Sequence, residues 1–176
     1  MVIHKPLSIW FTGLPGSGKS TLADALTLVL KGYNYPTILL DADIVRKGFN
    51  SDLGYSLDDR KENIRRVAEL SKILIEQEIF GIQAFICPTN ELRNMAREIV
   101  GFNNFFLIYL STPLEICEQR DPKGMYAKAR AGYMSQFTGV SQEFEVPDTA
   151  HITLDTSILT IEECIQSIME RIGRFN

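Results

Sequence analysis

The sequence predicts a single α/β domain in which helices cover both faces of a parallel sheet. Three observations support this prediction. Short apolar runs alternate with longer amphipathic ones, and the first apolar run ends in a glycine-rich turn. The length of 176 residues also leaves little room for a second domain. Because no internal repeat, low-complexity tract or linker divides the chain, we expect residues 1–176 to form one domain.

Five short apolar runs predict the strands, and the amphipathic stretches between them predict the helices. The predicted strands are Leu7–Thr12, Thr37–Leu40, Ile82–Cys87, Asn104–Leu110 and His151–Leu154. The predicted helices are Ser20–Leu30, Asp58–Phe80, Glu91–Val100, Pro113–Arg120 and Ile161–Ile172. Pro113 is typical of a first helical turn, with Ser111 or Thr112 as the cap.

Residues 121–148 have no long apolar periodicity, and they contain three glycines, Pro147 and several charges. A segment of this length without clear elements inside a compact domain is usually functional. We therefore predict that residues 121–148 form a lid.

Composition excludes several classes of function. A net charge of −4 disfavours binding along a nucleic-acid backbone. No apolar run approaches the ~20 residues that span a bilayer, and the first residues lack a signal-peptide pattern. The three cysteines are widely spaced and form neither a metal motif nor a disulfide framework. We expect a cytoplasmic protein with no membrane or nucleic-acid partner.

The segment Gly13–Ser20 has the pattern G-x-x-x-x-G-K-[ST] of a P-loop, placed after a predicted strand and before a predicted helix. Its backbone N–H groups can wrap around phosphate oxygens, and the helix start adds its positive dipole end. Lys19 would reach the β- and γ-phosphates of ATP, and the Ser20 hydroxyl would bind Mg²⁺. A glycine-rich turn with a chance lysine would not explain the complete motif. The predicted ATP-binding residues here are Gly13, Leu14, Pro15, Gly16, Ser17, Gly18, Lys19, Ser20 and Thr21.

Asp41 and Asp43 follow the second predicted strand, at the edge where parallel sheets bind ligands. Alternation puts both carboxylates on one side while the chain stays extended. One of them can face the P-loop and its metal, and the other can accept a proton from an attacking hydroxyl. The alternative is a pair of helix-capping aspartates.

Polar and aromatic residues further along predict an acceptor site. Arg60 and Asn63 are three residues apart on a predicted helix, so they can present a cation and an amide to one ligand. Tyr55 precedes them in a Gly-Tyr turn, where its ring can stack on a base or cover the core.

At these residues the chain resembles the adenylylsulfate (APS) kinase family, which uses ATP to phosphorylate the 3′-hydroxyl of adenosine 5′-phosphosulfate. The resemblance covers nearly the whole chain, and its middle blocks are far more specific than the P-loop. The blocks are FTGLPGSGKST, LDADIVRKGFNSDLGYSLDDRKENIRRVAEL, AFICP, STPLEICEQRDPKGMYAKARAG, FTGV and LDTS. It implies a single-domain P-loop kinase with small nucleotide substrates and a homodimeric assembly.

The resemblance also implies roles for individual residues. Asp43 would be the catalytic base, with Lys19 as its partner on the donor side. The acceptor would be bound by Arg46, Arg60 and Asn63 at its phosphosulfate end, by Tyr55 and Phe137 at its base, and by Ile86 and Cys87 as pocket walls. From the predicted lid, Lys123 would reach the transferring phosphate, and Arg120 and Arg130 would lie near the donor nucleotide.

The sequence departs from the family pattern on the acceptor side. Ala42 and Ile44 replace the usual Gly and Asn, Cys87 replaces a serine, and Asn90 stands where the family has an arginine. An alternative function is therefore phosphorylation of another nucleotide, such as cytidine diphosphoramidate in capsule biosynthesis. An inactive nucleotide-binding module is a further alternative, which the intact P-loop and Asp43 disfavour. The absence of an N-K-x-D motif disfavours a GTPase-type regulator.

Overall fold

Five parallel strands form the central sheet of the computed structural model, which describes residues 5–175. The strands are β1 (Ser8–Gly13), β2 (Thr37–Asp41), β3 (Phe80–Ala84), β4 (Phe105–Leu110) and β5 (Ile152–Leu154). Their order across the sheet is β2-β3-β1-β4-β5, and every neighbouring pair is parallel. The predicted five-stranded parallel sheet is confirmed.

Helices cover both faces of this sheet, as predicted. They are α1 (Lys19–Gly32), α2 (Ala42–Lys47), α3 (Leu57–Glu76), α4 (Asn90–Val100), α5 (Leu114–Arg120), α6 (Met125–Arg130) and α7 (Ile161–Phe175). Helices α1 and α7 pack against each other, and α3 packs against α4. None of the helices within residues 5–175 is long and apolar enough to cross a membrane.

The sheet separates the core into two layers, and the side chains of β1 alternate between them. Ile9 and Phe11 lie in the layer with α1 and α7, whereas Trp10 lies in the layer with α3 and α4. All six residues of β1 are buried. The P-loop that follows β1 is therefore anchored to the centre of the molecule.

A chain of buried hydrogen bonds links β1 to α3. Trp10 Nε1 donates to Ser8 Oγ at 2.7 Å, and Ser8 Oγ donates to Gln83 Oε1 at 3.1 Å. Gln83 Nε2 in turn donates to Ser71 Oγ at 2.8 Å. Each of these buried side chains has a hydrogen-bond partner. The chain therefore links α3 to the sheet and leaves none of these side chains without a partner.

Several predicted boundaries are wrong. Helix α3 ends at Glu76, four residues before the predicted end, and Glu78 has a left-handed φ of 58° that breaks the helix. Phe80 therefore begins β3 instead of ending a helix, and β3 stops at Ala84, before the predicted Cys87. Pro113 is the N-cap of α5 and does not lie in its first turn.

Residues 121–148 contain more structure than predicted. They include α6, and three of their side chains, Tyr126, Ala129 and Phe137, form a small third buried cluster with Cys117 of α5. The edge-to-face contact between Tyr126 and Phe137, with ring centroids 5.0 Å apart, joins α6 to the loop that follows it. This cluster packs the predicted lid against α5 and against Leu14 of the loop that follows β1.

Candidate active site

The glycines of the P-loop are required by its backbone. Gly16 and Gly18 have φ values of 77° and 94°, which favour glycine. A Cβ atom at Gly13 would lie 2.8 Å from the Leu110 carbonyl oxygen, and one at Gly16 would lie 2.7 Å from the Cys117 carbonyl oxygen. Helix α1 begins at Lys19, directly after Gly18, so its free N–H groups face the loop.

The side chain of Lys19 is hydrogen-bonded to backbone carbonyls of the P-loop. Its Nζ donates to the carbonyl oxygens of Gly13 at 2.9 Å and Leu14 at 2.7 Å. Burial removes water from the ammonium group and lowers the pKa of Lys19 to about 8. Phosphate oxygens can replace these two carbonyls, and their negative charge would raise the pKa of Lys19 again and stabilise its charged form.

Asp41 and Asp43 have different roles in the structure. The strand ends at Asp41, whose carboxylate accepts from the Asp43 backbone N–H at 2.9 Å and caps α2. It also accepts from Ser20 Oγ at 2.6 Å. The prediction that both carboxylates alternate along an extended chain is therefore wrong, since Asp43 lies in the first turn of α2. Helix capping, the alternative reading, is correct for Asp41.

Asp43 contacts Lys123 across the site. The Lys123 ammonium donates to Asp43 Oδ2, and this bond raises the pKa of Lys123 above its usual value. Both side chains are more than half exposed, so either one can exchange its partner for a ligand. The pair joins the first turn of α2 to residues 121–148.

Two arginines are arranged around Tyr55. The Arg46 guanidinium lies 4.7 Å from the centre of the Tyr55 ring, and it donates to the Gly54 carbonyl at 2.7 Å. Arg60 Nε donates to the Tyr55 carbonyl at 3.0 Å, and its Nη2 donates to the Gln136 carbonyl at 2.7 Å. Arg60 thus connects α3 to the 121–148 segment, while burial lowers its pKa from the ordinary value.

The wall opposite the arginines follows β3. Thr12 Oγ1 donates to the Ile86 carbonyl at 2.6 Å, which ties this wall to β1. Cys87 is buried with a positive φ of 43°, and burial raises the pKa of its thiol to about 12. The side chain of Phe137 is buried and packs on Tyr126.

The two arginines predicted for the donor nucleotide have different positions. Arg120 donates to Thr156 Oγ1 at 2.8 Å and to the Thr156 carbonyl at 2.7 Å, close to the P-loop. Arg130 instead pairs with Glu118 at 2.9 Å, and it does not line the cavity that lies between the P-loop and the predicted acceptor residues. The structure therefore does not bring Arg130 to the other site residues.

One continuous cavity of about 700 Å³ joins the P-loop to the predicted acceptor residues. Most of the predicted residues line it: Pro15, Gly16, Gly18, Lys19, Ser20, Thr21, Asp43, Arg46, Tyr55, Arg60, Asn63, Ile86, Cys87, Arg120, Lys123 and Phe137. Gly13, Leu14 and Ser17 belong to the P-loop but do not line this cavity. Further lining residues follow β5, among them Thr156, Leu159 and Thr160; no pattern in the sequence predicted them as site residues, although Thr156 lies in the family-like block LDTS.

The family model for adenylylsulphate kinase matches residues 5–155 of this chain. The chain belongs to this family. It is 50% identical to an adenylyl-sulfate kinase of Bacteroides thetaiotaomicron, over 93% of this chain and 82% of that protein. It is 51% identical to one of Bacteroides fragilis, over 95% of this chain and 83% of that protein.

The fold agrees with that of a solved family member. The structure of the Mycobacterium tuberculosis APS kinase CysC in complex with AMPPNP and APS superimposes with a TM-score of 0.91. That chain is 36% identical, and the match covers 96% of this chain and 98% of the other. The sequence blocks that indicated the adenylylsulphate kinase family therefore correspond to a shared fold along the chain.

Proposed function

We propose that this chain transfers the γ-phosphoryl group of ATP to the 3′-hydroxyl of adenosine 5′-phosphosulfate, giving 3′-phosphoadenosine 5′-phosphosulfate and ADP. One observation carries the proposal. A single cavity runs from a complete P-loop to a wall of arginines and aromatic rings, in a chain that belongs to the adenylylsulphate kinase family. The cavity is lined at one end by the P-loop and at the other by the predicted acceptor residues.

On the donor side, the P-loop N–H groups and Lys19 would bind the phosphates of ATP. Ser20 Oγ and the Asp41 carboxylate, 2.6 Å apart, are oxygen ligands of the kind that Mg²⁺ prefers. Residues 5–175 contain no cluster of three or more metal-ligating side chains, which agrees with an ion bound largely by phosphates and water. Bound there, Mg²⁺ would neutralise charge on the β- and γ-phosphates.

On the acceptor side, Arg46, Arg60 and Asn63 would bind the phosphosulfate end, and Tyr55 and Phe137 would hold the base. Two guanidinium groups suit an anionic tail because each can donate two parallel hydrogen bonds to oxygens. Arg46 covers one face of the Tyr55 ring, and the other face is left for a base.

Asp43 would take the proton from the acceptor hydroxyl as the γ-phosphoryl group transfers in line. Lys123 would leave Asp43 for the transferring phosphate once the nucleotides are bound. Positioning and charge neutralisation supply most of the catalysis in such a reaction. Residues 121–148, which carry Lys123 and Phe137, would act as the lid.

The departures on the acceptor wall favour one alternative, a related nucleotide acceptor such as cytidine diphosphoramidate. Cys87 and Asn90 replace a serine and an arginine of the family pattern, and Cys87 lines the cavity. An ADP-release assay with purified protein, ATP and each acceptor in turn distinguishes the two, with the product identified by ³¹P NMR. We expect acceptor-dependent ADP release with APS and a new 3′-phosphomonoester signal. Turnover with the cytidine nucleotide as acceptor, and none with APS, would overturn the proposal.

We further propose that the chain acts as a homodimer in the cytoplasm on small nucleotides, without nucleic-acid or membrane partners. The net charge of −4 supports the absence of a nucleic-acid partner. Light scattering of the purified protein, with and without nucleotides, tests the dimer.

A further inference from the structure

Two buried amide side chains meet beneath the acceptor end of the cavity. Asn50 lies in the loop between α2 and α3, and Asn63 lies in α3. Asn50 is fully buried, and Asn63 is 3% exposed. Asn50 Nδ2 donates to Asn63 Oδ1 at 2.9 Å. Asn63 lines the cavity, and Asn50 does not.

The orientation of this pair follows from which atom is left without a partner. As it stands, the orphaned atom is Asn50 Oδ1, a buried carbonyl oxygen. If both amides were turned over, the orphaned group would be the Asn50 NH₂, a buried donor with two hydrogens. Orphaned buried donors are rarer and more costly than under-satisfied carbonyl oxygens. The observed orientation is therefore the favoured one.

This orientation decides what Asn63 presents to a ligand. Its Oδ1 is occupied by Asn50, whereas its Nδ2 donates to no protein atom within residues 5–175. That Nδ2 is also absent from the fully buried unpaired groups, so it is accessible from the cavity. The cavity wall thus carries an amide donor at this point, three residues after Arg60 on α3.

The backbone holds Asn50 in place independently of its side chain. Its N–H donates to the Val45 carbonyl at 2.9 Å, and its carbonyl accepts from the Leu53 N–H at 3.2 Å. Asn50 does not have a positive φ, so other residues can adopt its backbone conformation. A substitution at Asn50 can therefore remove the amide and leave the loop intact.

We propose that Asn50 is a positioning residue that fixes the Asn63 amide, so that its NH₂ group donates to an oxygen of the anionic acceptor. This inference rests on the proposed function and adds a determinant of specificity to it. A fixed donor favours a phosphate or sulfate oxygen at this point, and it disfavours a ligand that presents its own N–H donor there, as a phosphoramidate does. The predicted role of Asn63 thus depends on a residue 13 positions earlier in the chain.

The kinetic test uses Asn50→Leu, which keeps a similar branched shape and removes the amide. We expect the KM for APS to rise about tenfold to a hundredfold, since a hydrogen bond to a charged group is weakened. The KM for ATP is expected to stay within about twofold, because Asn63 serves only the acceptor. In an Asn63→Ala background, Asn50→Leu should have little further effect, because the two residues act as one unit.

Ser71→Ala is the matched control, since it removes a buried hydrogen bond from the same helix, two turns beyond Asn63. It should leave both KM values near those of the wild type. A selective rise in the KM for APS in Ser71→Ala would show that loosening α3 suffices, and would overturn the proposal. An undiminished effect of Asn50→Leu in the Asn63→Ala background, or equal rises for both substrates, would also overturn it.

A measurement without turnover separates this inference from the proposed function. In ¹⁵N-labelled, ligand-free protein, the Asn50 side-chain amide protons should exchange slowly with solvent, and those of Asn63 should exchange rapidly. The reverse pattern overturns the proposed orientation whichever acceptor the enzyme uses. Wild-type protein that shows the expected exchange pattern but does not phosphorylate APS would instead overturn the proposed function.

Discussion

At the scale of single residues, burial determines the reactivity of the Cys87 thiol. Its thiol is buried, and the positive charge of Arg93 does not offset the cost of burying a thiolate, so its pKa rises to about 12. A thiol in this state is a poor nucleophile. Transfer should therefore pass directly from ATP to the acceptor, with no phosphorylated enzyme.

We predict that Cys87→Ser changes kcat only about several-fold, through fit in the pocket wall. Incubation of the wild type with γ-labelled ATP and no acceptor should leave the protein unlabelled. Stoichiometric label on Cys87 that passes into product at the rate of turnover would contradict this prediction.

Lys19 gives a prediction about pH. Because its pKa is lowered to about 8, the free enzyme loses this charge well before an ordinary lysine would. ATP binds the charged form, so its Kd should be flat below pH 8 and should rise above it by up to about tenfold per pH unit. Titration calorimetry between pH 7 and 9.5 measures this. Lys19→Arg stays charged, so its Kd for ATP should lack this dependence. A flat wild-type curve would show that the lysine keeps its proton throughout.

The role of Asp41 could not be decided from the sequence, because either aspartate could cap a helix or face the P-loop. The structure gives Asp41 both tasks, as cap of α2 and as partner of Ser20. The role of Asn50 was not predictable, because it depends on a contact with Asn63 that only the packing of the loop on α3 creates.

At the scale of elements, the sequence predicted the five strands and the long helices well and their ends less well. Apolar Ile79 and Phe80 continue the pattern of α3, so periodicity alone carried the predicted helix past Glu78. Helices α2 and α6 have six residues each, too few to show an apolar period, and neither was predicted.

Helix α4 has a buried contact that fixes the end of the 121–148 segment. The Arg93 side chain is only 2% exposed, and it donates to the carbonyls of Cys87 and Glu145, each at 2.7 Å, and to Asn90 Oδ1 at 2.8 Å. No carboxylate accepts from its guanidinium among the described residues.

We predict that Arg93→Ala destabilises the protein by about 2–4 kcal/mol, because it leaves buried carbonyls without a donor. Urea unfolding measures the change. Arg97→Ala is the control, since Arg97 lies one turn further along α4 and its hydrogen bonds are at the surface. Equal, small effects of the two substitutions would show that the carbonyls find water or other partners.

At the scale of the whole molecule, several hydrogen bonds and ion pairs connect residues 121–148 to the rest of the protein, and three of them show how the segment is held on two sides. Lys123 pairs with Asp43, Arg60 donates to the Gln136 carbonyl, and Arg93 donates to the Glu145 carbonyl. The first two involve exposed polar groups of the cavity that nucleotides can replace. The third is buried and lies away from the phosphates.

We therefore predict that ADP and APS together slow hydrogen exchange in residues 121–142 and have little effect on residues 143–148. Mass spectrometry of exchange with and without both ligands measures this. Protection that does not change anywhere in the segment would contradict its role as a lid.

The global architecture was predictable because strand–helix alternation and one complete motif leave few topologies open. Most of the predicted site residues do line the cavity, and the family resemblance identified those on its acceptor side. Arg130 was not placed correctly at the cavity, because its pairing with Glu118 on a neighbouring helix has no signal in the sequence.

The most direct test of phosphoryl transfer at the end of β2 is the turnover of Asp43→Asn, with Asp41→Asn beside it. We predict that Asp43→Asn lowers kcat by roughly 10²–10⁴-fold at neutral pH, because the acceptor hydroxyl loses its base, while ATP still binds. Asp41→Asn should instead raise the Mg²⁺ concentration needed for activity. Near-normal kcat in Asp43→Asn, with loss of turnover in Asp41→Asn at saturating Mg²⁺, would assign the base to Asp41 and contradict the proposed mechanism.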